Sequence, residues 1–440
     1  MANVKDSRVV QFFYDLPGVS STYHFLWAWL GAKRHGTPGE RVFVIGVTGT
    51  KGKTTTLELI NAILEGAGKR TALLSSLRVK IGDESKKNQL GNSMPGHGFI
   101  QRFLGDAFRA KCPYALIEVT SQGVALHRHR FVEWNMGVLT NLSPEHIESH
   151  GSFENYRKAK LDFLKYVLGH GGKVFLNRDD GNYKFFSDAL AAISQGVAHG
   201  KTFSYSREDE WLRNYLPKLT PTRGASGGPA PKFLMSDFNE ANVAVAVAVA
   251  KELGIGDKTI EEALVAFEGV PGRMEFVTNG PYTAIVDYAH TPDSLEAAYR
   301  AAKPKPDPRH PGPHLICVLG AAGGGRDRWK RPQFGAIAAD YCDEIILTDE
   351  DPYDEDPAAI IKEIRSGILG GDPDLENVRE VLDRREAIKT AVALARPGDV
   401  VIGTGKGSED WIHVAGGKKV PWDEKATFTA ALAEKKRELF

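Results

Sequence analysis

The sequence has few cysteines, no excess of either charge and no long apolar run. Its 440 residues include only Cys112, Cys317 and Cys342, which are far apart and form no C-x-x-C pair. A disulfide scaffold and a zinc ribbon are therefore not expected. Lysine plus arginine and aspartate plus glutamate both number 56. This balance argues against a protein built mainly to bind nucleic acid.

No apolar stretch reaches the length that spans a membrane, and the first residues lack the pattern of a signal peptide. We therefore predict a cytoplasmic protein with no transmembrane segment and no nucleic-acid partner. The sequence does not fix the oligomeric state, and a monomer is the default expectation.

The chain is too long for one ordinary core, so two or more domains are expected. From Arg41 onward, apolar strands such as "RVFVIGVTG" and "YALIEVT" alternate with helical segments, and the alternation restarts after "GVPGRMEFV". This rhythm predicts parallel sheets covered on both faces. We predict an α/β protein with an aromatic-rich helical extension (1–40), a P-loop domain with a parallel-rich sheet (41–270) and a Rossmann-like domain (271–440).

A glycine-rich segment, "GVTGTKGKT", follows the first strand and leads into a helical pattern. In a P-loop, glycines let backbone N–H groups approach phosphate oxygens, a lysine neutralises phosphate charge and a threonine hydroxyl binds magnesium. The strict spacing fails by one residue, because Val47 stands where the first glycine should be. A plain strand-to-helix turn would not explain a lysine at the positive end of a helix. The residues predicted to bind nucleotide phosphate are Gly49, Thr50, Gly52, Lys53, Thr54 and Thr55.

Further motifs follow in a fixed order: "ALIEVTSQGVALHRHR", "SPEHIESH", "YRKAKLDFL", "DFNEANVAVA", "VPGRME", "VDYAHTPD", "GGGRDRWKRP", "TDEDPYDEDP" and "GTGKGSED". In this order and spacing the sequence resembles the Mur ligase family. Within it, the match is with the ligases that add the third amino acid to a UDP-N-acetylmuramoyl peptide. The resemblance covers about residues 41–440 and implies an ATP-dependent amide ligase acting on a peptidoglycan precursor.

Such a ligase converts a carboxylate into an acyl phosphate, which an amine then attacks. Metal ions and cationic side chains must screen the repulsion between the two anionic reactants. The resemblance implies ATP, two Mg²⁺ ions and CO₂ as cofactors. It also implies a set of catalytic residues, namely Lys53, Glu118, His146, Lys160, Asp287 and His290.

The metal ligands follow from the same resemblance. Thr54 and Glu118 would bind one Mg²⁺, and His146 the second. Lys160, carbamylated by CO₂, would be an anionic ligand, since a bare ammonium beside two Mg²⁺ ions would be repelled. Without the motifs, Glu118 would be interpreted as a solvated carboxylate at a strand end and Lys160 as a surface lysine on a helix.

The acceptor and nucleotide contacts are also implied by resemblance. Ser93, Ser121 and Arg128 would hold the acceptor, although Gln122 stands where the family usually has histidine and Thr120 where it has serine. The contacts implied for the nucleotide and for the closing C-terminal domain are those of Asn242, Arg273, Asp287 and His290. Asn239 is equally compatible with a helix N-cap.

Two loops would form the pocket of the incoming amino acid, and they contain Asp351, Tyr353, Gly405 and Glu409. The family's arginine for the distal carboxylate of diaminopimelate is replaced by Tyr353, which cannot form that bidentate pair. The acidic residues in these loops favour lysine or another diamino acid that lacks a distal carboxylate. The alternative is a polar surface loop with a packed tyrosine.

A third basic loop, "GGGRDRWKRP", would face an anionic substrate through Arg326, with Asp327, Lys330 and Arg331 nearby. A solvated basic loop is the alternative.

Two other functions remain open at this point. One is a ligase similar to folylpolyglutamate synthase, acting on an acceptor without UDP. The other is a nucleotide-gated interaction protein that has lost ligase activity.

The segment 20–30, "SSTYHFLWAWL", predicts a helix with Ser20 or Ser21 as a possible N-cap. This helix would either pack on the central domain or present Trp27 or Trp29 to the acceptor's carrier or to a membrane surface.

Overall fold

The computed structural model describes residues 19–90, 92–96, 98–145, 147–194, 200–213, 215, 237–277, 282–304, 312–325, 327–368 and 376–438. The chain divides into two compact units, residues 1–268 and 269–440. The Gly/Pro-rich segment 219–234 lies outside the described residues. Over the described part of the chain, no helix is both long and apolar enough to cross a membrane.

The first unit is built around an eight-stranded sheet, whose spatial order is β4-β3-β2-β5-β1-β6-β7-β8. Its strands are β1 (Phe43–Thr48), β2 (Thr71–Leu74), β3 (Arg78–Ile81), β4 (Glu84–Lys87), β5 (Tyr114–Glu118), β6 (Trp134–Leu139), β7 (Lys173–Asn177) and β8 (Lys201–Tyr205).

Its described helices are α1 (Val19–His35), α2 (Lys53–Gly66), α3 (Phe99–Arg109), α4 (Ser121–Ala125), α5 (Ile147–His150), α6 (Phe153–Gly169), α7 (Tyr183–Ser194), α8 (Glu210–Arg213), α9 (Asp237–Glu252) and α10 (Asp257–Val265).

The parallel part of this sheet confirms the fold class predicted from the alternation of strands and helices. Strand β1 pairs in parallel with β5 and β6, and β2 pairs in parallel with β5. Beyond β2, the strands β3 and β4 continue the sheet in antiparallel pairs. The central strand is almost fully buried, which its β-branched composition favours. Because parallel neighbours share one direction, the carboxyl ends of β5, β1 and β6 lie at the same edge.

Close packing under β1 brings α6 to that edge. Gly46 has no side chain, and a Cβ there would lie 2.6 Å from the ring of Phe163 and 2.7 Å from Trp134. These two rings pack edge to face at 5.1 Å. Tyr156, Lys160 and Phe163 are spaced four and three residues apart, so they share the buried face of α6.

Helix α1 already includes the residues proposed as its cap. It extends from Val19 to His35, so Ser20 and Ser21 lie inside it and the predicted N-cap is wrong. The helix packs against the start of α3, where a Cβ on Gly31 would lie 2.7 Å from the Cα of Gly98.

The second unit has a six-stranded sheet with the order β13-β12-β11-β14-β10-β9, of which only β9 is antiparallel, and a separate hairpin of β15 and β16. Its strands are β9 (Glu275–Val277), β10 (Thr283–Val286), β11 (Leu315–Leu319), β12 (Glu344–Leu347), β13 (Val378–Glu380), β14 (Val400–Gly403), β15 (Trp411–Val414) and β16 (Lys418–Pro421). Its described helices are α11 (Pro292–Ala302), α12 (Lys330–Tyr341), α13 (Pro357–Arg365), α14 (Arg384–Leu394) and α15 (Glu424–Glu438).

Two cysteines of the second unit are paired, although their spacing in the sequence gives no sign of it. Cys317 in β11 and Cys342, directly after α12, form a disulfide with Cα atoms 6.0 Å apart. Helix α12 returns the chain to the sheet beside β11, so residues separated by 25 positions meet. Cys112 is a buried free thiol.

Candidate active site

The glycine-rich loop lies between β1 and α2 at the carboxyl edge of the first sheet. Gly52, just before the helix, has φ of 78°, a conformation that favours glycine. A Cβ at Gly52 would also lie 2.3 Å from the Oδ1 of Asn242. The loop therefore opens directly into the positive end of a fourteen-residue helix, which suits an anion such as phosphate.

The loop lysine folds over the loop itself. The Nζ of Lys53 donates hydrogen bonds to the backbone oxygens of Gly49, at 3.1 Å, and Thr50, at 2.8 Å. The ammonium group is therefore held beside the loop whose glycines would approach phosphate oxygens.

The hydroxyl of Thr54 meets the carboxylate at the end of β5. Thr54 Oγ1 donates to Glu118 Oε2 at 2.9 Å, and the backbone N–H of Ser76 donates to the same oxygen at 2.9 Å. Both Thr54 and Glu118 are buried, so Glu118 is not a solvated strand-end carboxylate. Nothing in the sequence indicates that Ser76 contacts Glu118, because Ser76 belongs to no recognised motif.

Lys160 of α6 points into the same loop from below. Its side chain is buried, and its Nζ donates to the Gly49 oxygen at 2.7 Å and lies 4.4 Å from the ring of Tyr156. Burial, assisted by repulsion from the Lys53 ammonium, lowers the pKa of Lys160 well below its ordinary value. The interpretation of Lys160 as a surface lysine is therefore wrong.

The segment after β6 completes the support of the loop. Asn141 Oδ1 accepts from the backbone N–H of Lys51 at 2.9 Å, and Thr140 Oγ1 donates to the Lys51 oxygen at 2.6 Å. Thr50 Oγ1 lies 3.0 Å from the hydroxyl of Tyr156. These contacts hold the loop between β6 and α6, and sequence motifs give no sign of them because they join residues about ninety or more positions apart.

The candidate acceptor residues lie on two neighbouring segments. Ser93 is buried, and the backbone oxygen of the next residue, Met94, accepts a hydrogen bond from Arg128 Nη1. Ser121, the first residue of α4, lies 3.0 Å from His150 Nε2 through its hydroxyl. The structure thus joins Arg128 to the segment of Ser93, and it gives His150 a partner that sequence analysis did not foresee.

Asn242 lies beside the loop, in α9. Its Oδ1 accepts from Thr56 Oγ1 at 3.2 Å, and its amide group donates to Asn239 at 3.2 Å. Asn239 lies inside the helix, which begins at Asp237, so the N-cap alternative for Asn239 is wrong. Thr55 is buried in the first turn of α2.

In the second unit, Asp287 follows β10 and binds backbone groups. Its two oxygens accept from the N–H groups of Met274 and Ala289, both at 2.7 Å. Burial raises the pKa of Asp287, and the nearby Arg273 opposes this. Arg273 lies over the Tyr288 ring at 4.2 Å, and the exposed His290 lies 2.8 Å from the Tyr288 oxygen through Nδ1.

The two loops predicted to bind the amino acid meet around a buried lysine. Lys406 Nζ donates to Asp351 Oδ1 at 2.8 Å and to Glu409 Oε2 at 2.6 Å, and its side chain is fully buried. Gly405 passes against the buried carboxylate of Glu350, where a Cβ would lie 2.2 Å from Oε2. Asp351 and Glu409 are therefore already neutralised in part.

Tyr353 is packed as well. Its ring stacks on His413 with centroids 5.0 Å apart, and its backbone N–H donates to the His413 oxygen at 3.0 Å. The β15–β16 hairpin thus fixes the residue predicted to replace the family's arginine.

The expectation that Arg331 faces an anionic substrate is wrong. Its side chain is 2% exposed and donates to Glu355, at 3.0 Å, and to Glu363, at 2.8 Å. Lys330 forms an ion pair with Asp327. Arg326 and His146 lie outside the described residues.

Sequence comparison connects this geometry to known proteins. Residues 47–250 match the family model of the Mur ligase middle domain, and residues 272–407 match that of the Mur ligase, glutamate ligase domain. A UDP-N-acetylmuramyl-tripeptide synthetase of Roseiflexus sp. is 38% identical over 425 residues, which cover 92% of this chain and 81% of that protein. The chain belongs to the Mur ligase family.

Other Mur ligases give the same result. A UDP-N-acetylmuramoyl-L-alanyl-D-glutamate–2,6-diaminopimelate ligase of Syntrophomonas wolfei is 36% identical, over 87% of this chain and 77% of that protein. A solved structure of a ligase of that name has a TM-score of 0.59 and 27% identity, over 90% of this chain and 79% of that one. A folylpolyglutamate synthase/dihydrofolate synthase of Yersinia pestis has a TM-score of 0.60 at 17% identity, over 95% and 94% of the two chains, and shares the fold.

As a Mur ligase, the protein is an ATP-dependent, ADP-forming amide ligase. Its first unit also fits the magnesium ion that such a reaction uses. Magnesium prefers oxygen ligands and keeps several waters or phosphate oxygens. The Thr54 hydroxyl and Glu118 carboxylate offer two adjacent oxygens, 2.9 Å apart. Within the described ranges, no three His, Cys, Asp or Glu side chains converge as a metal site, so these two residues would hold the ion only together with other oxygen donors.

Proposed function

We propose that this ligase joins an amino acid to a UDP-N-acetylmuramoyl-peptide-like precursor through an acyl phosphate. The observation that carries the proposal is the contact between Thr54 and Glu118 beside the glycine loop. Lys53 and Lys160 both donate hydrogen bonds to the backbone oxygen of Gly49 in that loop. A chain that only bound nucleotide would need the loop, but it would not need a second buried lysine below it.

The reaction places demands that these residues meet. Bound MgATP supplies the phosphoryl group. The acceptor carboxylate attacks it, ADP leaves, and the amine then displaces phosphate from the acyl carbon. Lys53 offsets the negative charge that builds up between two anions, and the N-terminus of α2 adds its partial positive charge. The buried, preorganised setting makes each of these charges more effective than in water.

We propose that Lys160 acts as a carbamate. Carbamylation requires a neutral amine, and burial favours the neutral form of this side chain. The neutral amine attacks CO₂, forms an N–C bond and loses a proton, so that an uncharged side chain becomes an anionic one. The neighbouring Lys53 repels an ammonium at this place but would attract a carbamate. The product would supply oxygen ligands for the second magnesium ion, together with His146.

Ser93, Ser121 and Arg128 are proposed to hold the acceptor. Arg128 is joined to the 92–96 segment through Met94, and Ser121 begins a helix beside His150. A cation and hydroxyl groups near one another suit a substrate that carries carboxylates and phosphates.

Lysine, or another diamino acid without a distal carboxylate, is the proposed incoming amino acid. The buried bases Lys406 and Arg384 lie among the acids Asp349, Glu350, Asp351, Glu409 and Glu424. An excess of acid in a buried setting favours a cationic occupant. Tyr353, stacked on His413, offers no partner for a second carboxylate.

The test is an acceptor and amino-acid screen with mass detection of the product. ADP release should require acceptor and amino acid together. Lys53→Ala should reduce turnover by at least about a hundredfold, because it removes a charge used in the transition state, while Lys69→Ala, an exposed lysine beyond the end of α2, should not. Near-normal turnover of Lys53→Ala would contradict the site assignment. Activity with a pteridine–glutamate acceptor alone would favour the folylpolyglutamate-like alternative.

A further inference from the structure

The helix that precedes the P-loop domain has an outer face with an unusual composition. Leu26 is 49% exposed, Trp27 39%, Trp29 38% and Leu30 48%. Twelve large hydrophobic side chains are exposed in the described part of the chain, and four of them lie within these five positions. The inner face, with Ala28 and Ala32, is buried, so the exposure is not a sign of a detached helix.

The same helix carries charge of one sign. Residues 19–35 contain no acidic residue, and the last turn holds Lys33, Arg34 and His35. The Lys33 ammonium lies 4.4 Å from the centre of the Trp29 ring. Nearby, Arg41 lies 5.4 Å from the ring of Phe108 in α3, which is 45% exposed. Exposed aromatic rings are thus accompanied by cations at both places.

We propose that the outer face of α1 binds the surface of an anionic lipid bilayer. Tryptophan and leucine on one face, with lysine and arginine beside them, are the composition of helices that lie in the membrane interface. The rings enter the boundary between headgroups and acyl chains, while the flexible stems of Lys33 and Arg34 keep their charges among the anionic headgroups. The basic residues supply the charge complementarity that selects this partner over a neutral apolar surface.

The location of the helix gives this contact a consequence. Its inner face contributes His24 and Ala28 to a small cavity that Pro95, Gly96 and Arg128 also line. Arg128 is the proposed acceptor residue, so the acceptor segment lies directly beneath a membrane-bound α1. A membrane-bound enzyme would therefore meet its acceptor at the bilayer surface. This consequence rests on the proposed function, whereas the lipid contact itself does not.

The experiment is flotation of the full chain with vesicles of phosphatidylcholine alone or mixed with phosphatidylglycerol. Binding should require the anionic lipid and weaken as salt is added. The double variant Trp27→Glu/Leu30→Glu should lower the partition coefficient between vesicles and water by about tenfold or more, since it removes two apolar side chains that would enter the membrane interface. Lys33→Glu/Arg34→Glu should do the same through charge. The matched control is Trp329→Glu/Leu382→Glu, which changes a tryptophan and a leucine of the second unit that are each 50% exposed.

Emission from the tryptophans gives a second measurement. Lipids brominated near the headgroup should quench the wild-type chain more strongly than the Trp27→Glu/Leu30→Glu variant. ADP release with a water-soluble acceptor should be equal in both, which shows that the variant is folded and separates this test from that of the proposed function.

Absence of binding to anionic vesicles at low salt would overturn the proposal. So would equal binding of the wild type and the double variant. If the wild type did not bind vesicles but formed a dimer in light scattering, and the Trp27→Glu/Leu30→Glu variant were a monomer, the face would be assigned to a second copy of the chain instead.

Discussion

Replacing Arg384 by methionine should destabilise the second unit severely. The guanidinium is fully buried and donates to Glu424 Oε1 at 2.6 Å, to the Thr404 oxygen at 2.6 Å and to the Asp349 oxygen at 3.1 Å. Glu424 is equally buried and also accepts from Trp422 Nε1 at 2.6 Å. The variant would leave a buried carboxylate without its cation and two backbone oxygens without these donors.

The expected loss follows from the cost of an unpaired buried charge. Breaking a buried ion pair by removing one partner costs about 3–5 kcal/mol. The two lost carbonyl contacts act in the same direction, at about 1 kcal/mol or more each. Because these losses belong to one side chain and one network, they do not simply add, and we expect Arg384→Met to lose about 4 kcal/mol or more. This is a large part of the roughly 5–15 kcal/mol by which a domain is stable.

A double-mutant cycle separates the ion pair from simple loss of packing. Glu424→Leu alone should also cost about 3–5 kcal/mol, because it leaves Arg384 buried without its carboxylate. The double variant should lose clearly less than the sum of the two, since neither charge is then left alone. Arg379→Met is the matched control. Its partner Glu344 is a quarter exposed and Arg379 more than a third, so we expect less than about 1 kcal/mol.

Hydrogen exchange followed by mass spectrometry suits this measurement, because a chain of two units need not unfold in one step. Peptides from β11 and β14 report on the second unit, and peptides from β1 and β5 serve as an internal reference. Protection in the second unit should fall by about a thousandfold in Arg384→Met and remain unchanged in the first. A change below tenfold, or a double variant as unstable as the sum, would refute the reasoning.

Three other predictions concern single side chains. Lys160→Ala should abolish turnover while the exposed Lys158→Ala keeps it, and ¹³CO₂ should give a carbamate signal that disappears only in the first variant; a signal from both would contradict the assignment. Burial raises the pKa of Glu350 from 4.5 to about 7. Between these pH values the folded state keeps a proton that the unfolded chain has lost, so the free energy of unfolding should fall as the pH rises, by at most about 3 kcal/mol. Glu350→Gln should remove that slope in melting curves taken from pH 4.5 to 8, and an unchanged slope would exclude Glu350 as its source. Tyr353→Arg should shift the ratio of kcat/KM for lysine and diaminopimelate toward diaminopimelate, with His413→Ala as the control for lost stacking; an unmoved ratio would mean that the loop does not select.

The elements of the fold could be predicted from the sequence because their signals are local. Buried strands such as β1 and β5 are short β-branched or aliphatic runs bounded by loops, and α2 begins directly after the glycines. The contact of Thr54 with Glu118 also follows from local facts. Glu118 ends β5, and Thr54 lies in the first turn of α2, which follows the neighbouring parallel strand β1, so the two residues are expected at the same edge of the sheet.

The parts that could not be predicted depend on which helix face meets which strand. The residues next to a lysine in the sequence of α6 do not show whether its side chain is exposed. The packing of Phe163 against Gly46 places Lys160 on the buried face of the helix. The disulfide has the same origin, because its second cysteine reaches β11 only through the return of α12. Ser20 and Ser21 had suitable side chains for a cap, but the helix starts before them.

Charge was the hardest property to predict, since a side chain's charge matters only with its partner. In the sequence, Arg331 was a cation available to a substrate, yet Glu355 and Glu363 already neutralise it. Asp351 and Glu409 were acids available to a cationic amino acid, yet Lys406 lies between them. The argument for lysine therefore no longer rests on the number of acids in the loops. It rests on the acids left over once the buried bases are paired, and Glu350, with its raised pKa, is the one that a bound ammonium group would most readily ionise.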